Sequence, residues 1–298
     1  MKLGFIGFGE AAYYISLGLK KQSHDIDIFA FDTMAAHADM GSVIKKRAEE
    51  AGVNLLGDVS ELAGAADVII ASVPSSYTVS ACESIAGYLS PKQLYADISA
   101  STPAAKKKVW EKIEPTKALF ADAAVLGSIP QDGHRVPITA SGNGAAALEE
   151  ALTPFGMRIS QAGDRPGDAS AIKLVRSIFM KGLASLMTET TLAAVKYDVS
   201  EQVVKSLGKS MDGISFEDHL NRMIIGSAIH GARRAAEVRG SVSMCQEADI
   251  PCEMSQATVI SHERLASYNF ATEYSLNRPE SWRNVIQDII NKEELECL

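Results

Sequence analysis

Seven short apolar runs alternate with helical patterns along the first part of the chain, and after residue 163 such runs stop. They are Leu3–Ile6, Ile26–Phe31, Asp67–Val73, Leu94–Ser99, Ala118–Val125, Val136–Gly142 and Met157–Gly163. The runs are nearly continuous in apolar character, as strands covered on both faces are. Helical stretches such as Tyr77–Tyr88 and Pro103–Ile113 lie between them. This alternation marks stacked βαβ units around a parallel sheet. Beyond Gly163 the chain reads as helices alone: Asp168–Tyr197, Glu201–Lys209, Phe216–Arg239, Met244–Ala248, Glu253–Ser267 and Ser281–Lys292.

The first run turns at once into a helical pattern through Gly7-Phe8-Gly9-Glu10-Ala11-Ala12. Gly7-x-Gly9-x-x-Ala12 matches the dinucleotide fingerprint, with alanine in its permitted third place. Gly7 allows the tight turn, Gly9 lets the backbone approach a pyrophosphate, and Ala12 lets the helix pack near the strand. The helix start offers unpaired N–H groups and the positive end of its dipole to phosphates. Alone the pattern is weak; here it follows the first strand, opens a helix, and is followed by Asp32 at the end of the second run. An acid there accepts from both hydroxyls of an adenosine ribose and repels a 2′-phosphate. Thr33-Met34-Ala35 brings no arginine to hold that phosphate, so NAD is expected and NADP is the alternative. The predicted fold is α/β, a Rossmann-type doubly wound parallel sheet (residues 1–162) followed by an all-α domain (163–298). Val73 and Pro74 fall beside the ribose and nicotinamide if their strand ends at the ligand crevice of such a sheet. An ordinary strand-to-loop corner has the same local sequence.

At 298 residues the chain has room for two domains and a full core. A formal net charge of −8 argues against a nucleic-acid or anionic-membrane surface as the main partner. No apolar run approaches the ~18 residues of a membrane span. The start of the chain, where Glu10 follows the glycine turn, has no signal-peptide pattern. Cys82, Cys245, Cys252 and Cys297 are scattered, without C-x-x-C or zinc spacing, and read as reduced thiols in a cytoplasmic protein. The histidines lack ligand spacing, so no metal is expected.

Four stretches resemble the β-hydroxyacid dehydrogenases, the family of 3-hydroxyisobutyrate dehydrogenase and the cofactor domain of 6-phosphogluconate dehydrogenase. Gly4–Ala12 resembles their glycine loop, and Ala96–Pro103 their D-x-S-T-x-x-P stretch, with Asp97, Ser99 and Pro103 in place. Asp122–Ser128 is similar to the substrate loop D-A-P-V-S-G-G. Gly163–Ser177 resembles the catalytic stretch G-x-x-G-x-G-x-x-x-K-x-x-x-N, with Gly163 and Lys173 matching. Departures surround these matches. The threonine after Ser99 is Ala100, the loop proline and serine are Ala124 and Leu126, and the asparagine is Ser177. The later lysine-aspartate pair is absent where His230–Val238 stands. The pattern resembles a divergent branch with a phosphogluconate-dehydrogenase-like C-terminal domain.

The resemblance implies a cofactor held by Gly7, Phe8, Gly9, Glu10 and Ala11 of the turn, with Asp32, Val73, Pro74 and Ser99 beyond it. It implies Lys173 as general acid or base. Ile172 and Val175 beside it are expected to point into packing, which would partly desolvate the lysine and bring its pKa toward neutrality. A solvated lysine on an exposed face is the plain alternative. Ser177 bonds either a substrate hydroxyl or its own backbone. Leu126, Gly127 and Ser128 either offer N–H groups to a substrate carboxylate or form an ordinary loop. His230, Arg233 and Arg234 either bind an acidic substrate or are a solvated charge run.

The expected function is hydride transfer between a nicotinamide cofactor and a small β-hydroxy or polyhydroxy acid. An imine or keto-acid reductase on the same fold, and a non-catalytic NAD-binding sensor, are the alternatives. Ile172, Val175, Phe179, Leu183 and Leu186 form an apolar stripe that predicts a homodimer through the helical half.

Overall fold

The computed structural model describes residues 1–296. The chain divides into two compact units, Met1–Ile178 and a second beginning at Phe179.

The first unit is built on one sheet of eight strands: β1 (Lys2–Ile6), β2 (Asp27–Phe31), β3 (Asn54–Leu55), β4 (Val68–Ala71), β5 (Leu94–Asp97), β6 (Leu119–Val125), β7 (Pro137–Ser141) and β8 (Arg158–Gly163). Their order is β3-β2-β1-β4-β5-β6-β7-β8, so the winding reverses between β1 and β4. Neighbours run parallel except β6 and β7, which pair antiparallel. The helices are α1 (Glu10–Gln22), α2 (Met40–Ala51), α3 (Val59–Ala65), α4 (Thr78–Ala86), α5 (Pro103–Ile113), a short α6 (Ile129–Asp132) and α7 (Ala145–Leu152).

Burial on both faces explains the nearly continuous apolar runs. Val68 and Ile70 of β4 join Leu3, Phe5 and Leu94 in a core closed by α1, α2 and α7. Ile69 and Ala71, pointing the other way, join Ile6 and Tyr95 in a core closed by α3, α4 and α5. Each large side chain so buried contributes about 1.5–3 kcal/mol. The expected helix Pro103–Ile113 forms as α5, capped by Thr102 Oγ1, which accepts from Ala105 N at 3.2 Å, with Pro103 in the first turn. Two features of the sheet lie outside the sequence reading. β3 has two residues, too few to show a period. The antiparallel β7 cannot be told from a parallel strand by its composition.

Strands end at Gly163, as the sequence predicts, yet the first unit extends fifteen residues further, to Ile178, into α8 (Asp168–Lys196). The start of α8 is tied back to β6, because Ser170 N and Oγ both donate to the Asp122 carboxylate.

The second unit holds the rest of α8, then α9 (Ser200–Met211), α10 (Phe216–Leu220), one π-helical turn (Asn221–Ile225) and α11 (Gly226–Glu247). Helices α12 (Glu253–Ser267), α13 (Phe270–Glu273) and α14 (Trp282–Glu296) complete it. The helix expected to end at Arg239 runs on to Glu247 and takes in most of Met244–Ala248, since a lone Gly240 does not stop it. Ile225, Ala228, Tyr268, Phe270 and Val285 form its core. Buried Glu189 caps α12, accepting from Met254 N at 2.8 Å and Ser255 N at 2.9 Å.

Cys82, Cys245 and Cys252 are free and buried, and Cys297 lies outside the described residues. Burial pushes the Cys82 thiol up to about 12, far from a reactive thiolate. Among the described residues, no helix is long and apolar enough to cross a membrane.

Candidate functional site

The carboxyl ends of β1, β4 and β5 meet where the winding reverses, the place at which open α/β sheets form their ligand crevice. A cleft of about 480 Å³ opens there. One wall is Gly9, Glu10 and Ala11 at the start of α1, another Ser72 and Val73 after β4. Ile98, Ser99 and Ala100 follow from β5, and Gly127 to Pro130 from the end of β6 and the start of α6. Lys173, in the second turn of α8, closes the cleft.

The two glycines of the turn have different causes. Gly7 has φ +82°, and a Cβ there would meet the Ser72 carbonyl oxygen at 2.6 Å, so the protein's own backbone demands glycine. Gly9 has φ −78°, which any residue adopts, and a Cβ there would meet nothing within 4 Å. Its bareness has no explanation in internal packing and fits a group docked from outside. Gly9 is also the N-cap of α1 and has no side chain to accept from the first-turn amides, the natural donors to a phosphate. The residues present therefore fit a dinucleotide's pyrophosphate.

Asp32 does more locally than its ribose reading implies. Oδ2 accepts from Phe8 N at 2.7 Å and Oδ1 from Met34 N at 2.8 Å, so the carboxylate braces the turn and caps the 3₁₀ segment Thr33–Ala36. A carboxylate oxygen keeps a second lone pair for a ribose hydroxyl. Phe8 itself points into the core and its N–H is used by Asp32.

Val73 and Ser99 are joined: Ser99 Oγ accepts from Val73 N at 3.2 Å. Pro74 is exposed beyond them and does not line the cleft. In the loop after β6, Gly127 and Ser128 reach the cleft, but Leu126 N already donates to the Pro137 carbonyl at 2.8 Å. Its N–H is therefore spent on the β6–β7 connection.

Lys173 is half-buried. Its expected packed flank is not formed: Ile172 and Val175 are 44% and 66% exposed. They face outward because α8 packs on the sheet through Ala169 and Ser170, a turn earlier. Ser177 is half-buried one turn on and does not line the cleft. His230 and Arg234 belong to the second unit, where Arg234 Nη1 donates to Ser227 Oγ at 2.7 Å and Arg233 pairs with Glu237 on its own helix at 2.6 Å. His230 is exposed at a break in α11, with φ −115° and ψ 24°. The sequence reading missed the apolar cleft residues Ile98, Ile129 and Pro130; Ile98 directly follows β5, while Ile129 and Pro130 open the short α6 beyond the loop after β6. Among the described residues there is no cluster of three or more His, Cys, Asp or Glu side chains able to hold a metal.

Residues 2–163 match the family model described as the NAD binding domain of 6-phosphogluconate dehydrogenase, and residues 194–265 match a domain of unknown function. The chain is similar to a solved conserved protein of unknown function, described as structurally similar to 3-hydroxyacid dehydrogenases. That likeness is at 27% identity, over 90% of this chain and 97% of that one, with a TM-score of 0.62. The mitochondrial 3-hydroxyisobutyrate dehydrogenase of Drosophila melanogaster is 25% identical over 214 residues, covering 68% of this chain and 63% of that protein. An imine reductase from Pseudomonas sp. shares the fold, with a TM-score of 0.69 at 16% identity over 97% of this chain and 99% of that one.

Proposed function

The chain belongs to the family of the 6-phosphogluconate dehydrogenase NAD-binding domain and is an NAD(P)-dependent oxidoreductase; from that premise we propose that it oxidises a small β-hydroxy or polyhydroxy acid with NAD. The observation that carries this reading is that Lys173 lines the same cleft as the bare Gly9. One wall suits a pyrophosphate and the other brings a proton-transfer group to the far end.

When bound, the nicotinamide supplies the acceptor or donor of hydride. Gly7, Gly9, Glu10 and Ala11 of the turn and Asp32 would hold the dinucleotide, and Val73 and Ser99 shape the wall beyond it. Lys173 takes the proton of the substrate hydroxyl during oxidation and returns it during reduction, a task that a fixed helix performs better than a loop. Ser128 and the Gly127 backbone bind the substrate's polar end.

NAD is preferred to NADP because Asp32 would repel a 2′-phosphate. A homodimer through the helical half is part of the proposal. Ile178, Met187 and Val195 of α8 are 76%, 57% and 69% exposed, the kind of apolar surface that marks an interface.

Imine or keto-acid reduction is the second reading, favoured by the apolar cleft wall of Val73, Ile98, Val125 and Ile129. Purified protein assayed with NAD and NADP against hydroxy acids, and with NADH and NADPH against keto acids and cyclic imines, decides between them. NADH formation with a hydroxy acid is expected. Turnover of imines alone supports the second reading, and cofactor binding without turnover of anything supports a sensor.

A further inference from the structure

Three ionisable side chains lie wholly inside the first unit: Lys106 of α5, Asp97 at the end of β5 and Asp122 of β6, each 0% exposed. Lys106 Nζ stands 3.1 Å from Asp97 Oδ1 and 3.5 Å from Asp122 Oδ1, and donates to the Asp97 carbonyl at 2.7 Å. One ammonium cannot fill the lone pairs of two carboxylates. Further donors are Ser99 on the cleft wall and Ser170 at the start of α8, while Asp97 Oδ2 stays buried without a partner among the described residues. Ser99 N donates to Asp97 Oδ1 at 2.8 Å, and Ser99 is the residue that holds Val73. Ser170 donates to Asp122 through N at 2.9 Å and through Oγ at 2.7 Å. Ser170 sits three residues before Lys173, on the same side of α8.

Buried ion clusters are often replaceable by apolar side chains with no loss of stability, while losing one partner strands a buried charge. Stability alone is thus a weak reason for this one. What an apolar plug would not do is tie three separate backbones together at fixed angles, since only directional donors and acceptors specify position. Here one cation holds two carboxylates, of which one fixes the Val73–Ser99 wall and the other fixes the start of the helix bearing Lys173.

We infer that Lys106, Asp97, Asp122 and Ser170 form a buried clamp that positions Lys173 relative to the Ser99 wall of the cleft. None of the four lines the cleft, so they are positioning residues. The inference concerns the same site as the proposed redox function, but its test needs no substrate.

The experiment uses the full-length protein with its lysines reductively dimethylated by ¹³C-formaldehyde and a borane reductant, the Lys173 signal being assigned by its absence from Lys173→Arg. Ser170→Ala removes one strong bond of the clamp and leaves all three charges in place. The dimethyl-Lys173 signal is expected to move its titration midpoint by at least about half a pH unit, since a displaced ammonium changes its neighbours and solvation. NADH affinity, read by fluorescence, stays within about twofold because the glycine turn is untouched. Asp58→Ala, which removes the α3 cap that accepts from Ser60 N at 2.7 Å, is the control for lost stability and leaves the signal in place. If Ser170→Ala yields no folded protein, Asp122→Asn is read by the same criteria. A variant signal that overlays the wild type, or an equal shift in Asp58→Ala, overturns the clamp. A protein that turns over nothing would still show it.

Discussion

Phe8 N donates to Asp32 Oδ2 at 2.7 Å, which bolts the acid at the end of β2 to the glycine turn it faces. Losing that acid therefore affects the cofactor and the turn together. Asp32→Ala is expected to weaken NADH binding about tenfold or more, because hydrogen bonds to a charged group are worth about 1.5–3 kcal/mol. NADPH binding should fall less, since repulsion of its phosphate is relieved. Fluorescence titration with both cofactors measures the gap. A wild type that prefers NADPH tenfold would contradict the reading of Asp32.

Gly7 and Gly9 separate folding from binding. Gly7→Ala forces a side chain into φ +82° and against the Ser72 carbonyl, and should cost about 1–3 kcal/mol of stability. Gly9→Ala meets nothing within 4 Å and should melt within a degree or two of wild type, yet bind NADH much more weakly. Thermal unfolding and NADH titration of the two variants are the check. Equal NADH affinity in Gly9→Ala would remove the pyrophosphate from that wall.

The exposed apolar side chains of α8 predict a dimer mass by light scattering at micromolar concentration. Replacing Met187 and Val195 together with aspartate should give a monomer that retains the secondary structure of the wild type. A wild-type monomer would refute the assembly.

His134 gives the fold an acid-side weakness. It is buried, and a Cβ on Gly18 would meet its Nδ1 at 2.1 Å, so little room remains for a hydrated cation. Burial, then Arg135, hold its pKa below the ordinary 6.5. The unfolded chain thus binds the proton first: this contribution is complete above the ordinary value and is lost as pH falls from there through the folded pKa. His262 is lowered in the same direction by burial and Arg234, and adds to the effect. Melting temperature should drop as pH falls below the ordinary 6.5, and His134→Gln should flatten that drop in part. An unchanged slope in the variant would show that His134 does not report on acid unfolding.

The sheet was legible in the sequence because its strands are buried on both faces, which leaves mostly apolar runs at Asp67–Val73 and Ala118–Val125. The glycine turn was legible because Gly7 answers a backbone need that few residues meet. The surroundings of Lys173 were not. Helical spacing reported the stripe of Ile172 and Val175 but could not say whether the sheet, solvent or another copy covers it, and in this chain they are exposed. Lys106 is hidden in the run Lys106-Lys107-Lys108, which reads as a solvated face. Its one signal is register: Val109 and Ile113, at i+3 and i+7, are buried with it on the inner side of α5.

The central claim is that Lys173 moves the proton, and its substitution tests that most directly. With the best substrate found, Lys173→Ala should lower kcat by at least about a hundredfold, the usual share of a positioned general base. NADH affinity should stay nearly unchanged, because the proposed dinucleotide site at the turn and Asp32 is untouched. Lys173→Arg should restore little, since a guanidinium stays protonated. Near-wild-type turnover in both variants would contradict the account and send the proton elsewhere, and loss of NADH binding together with activity would make the lysine structural.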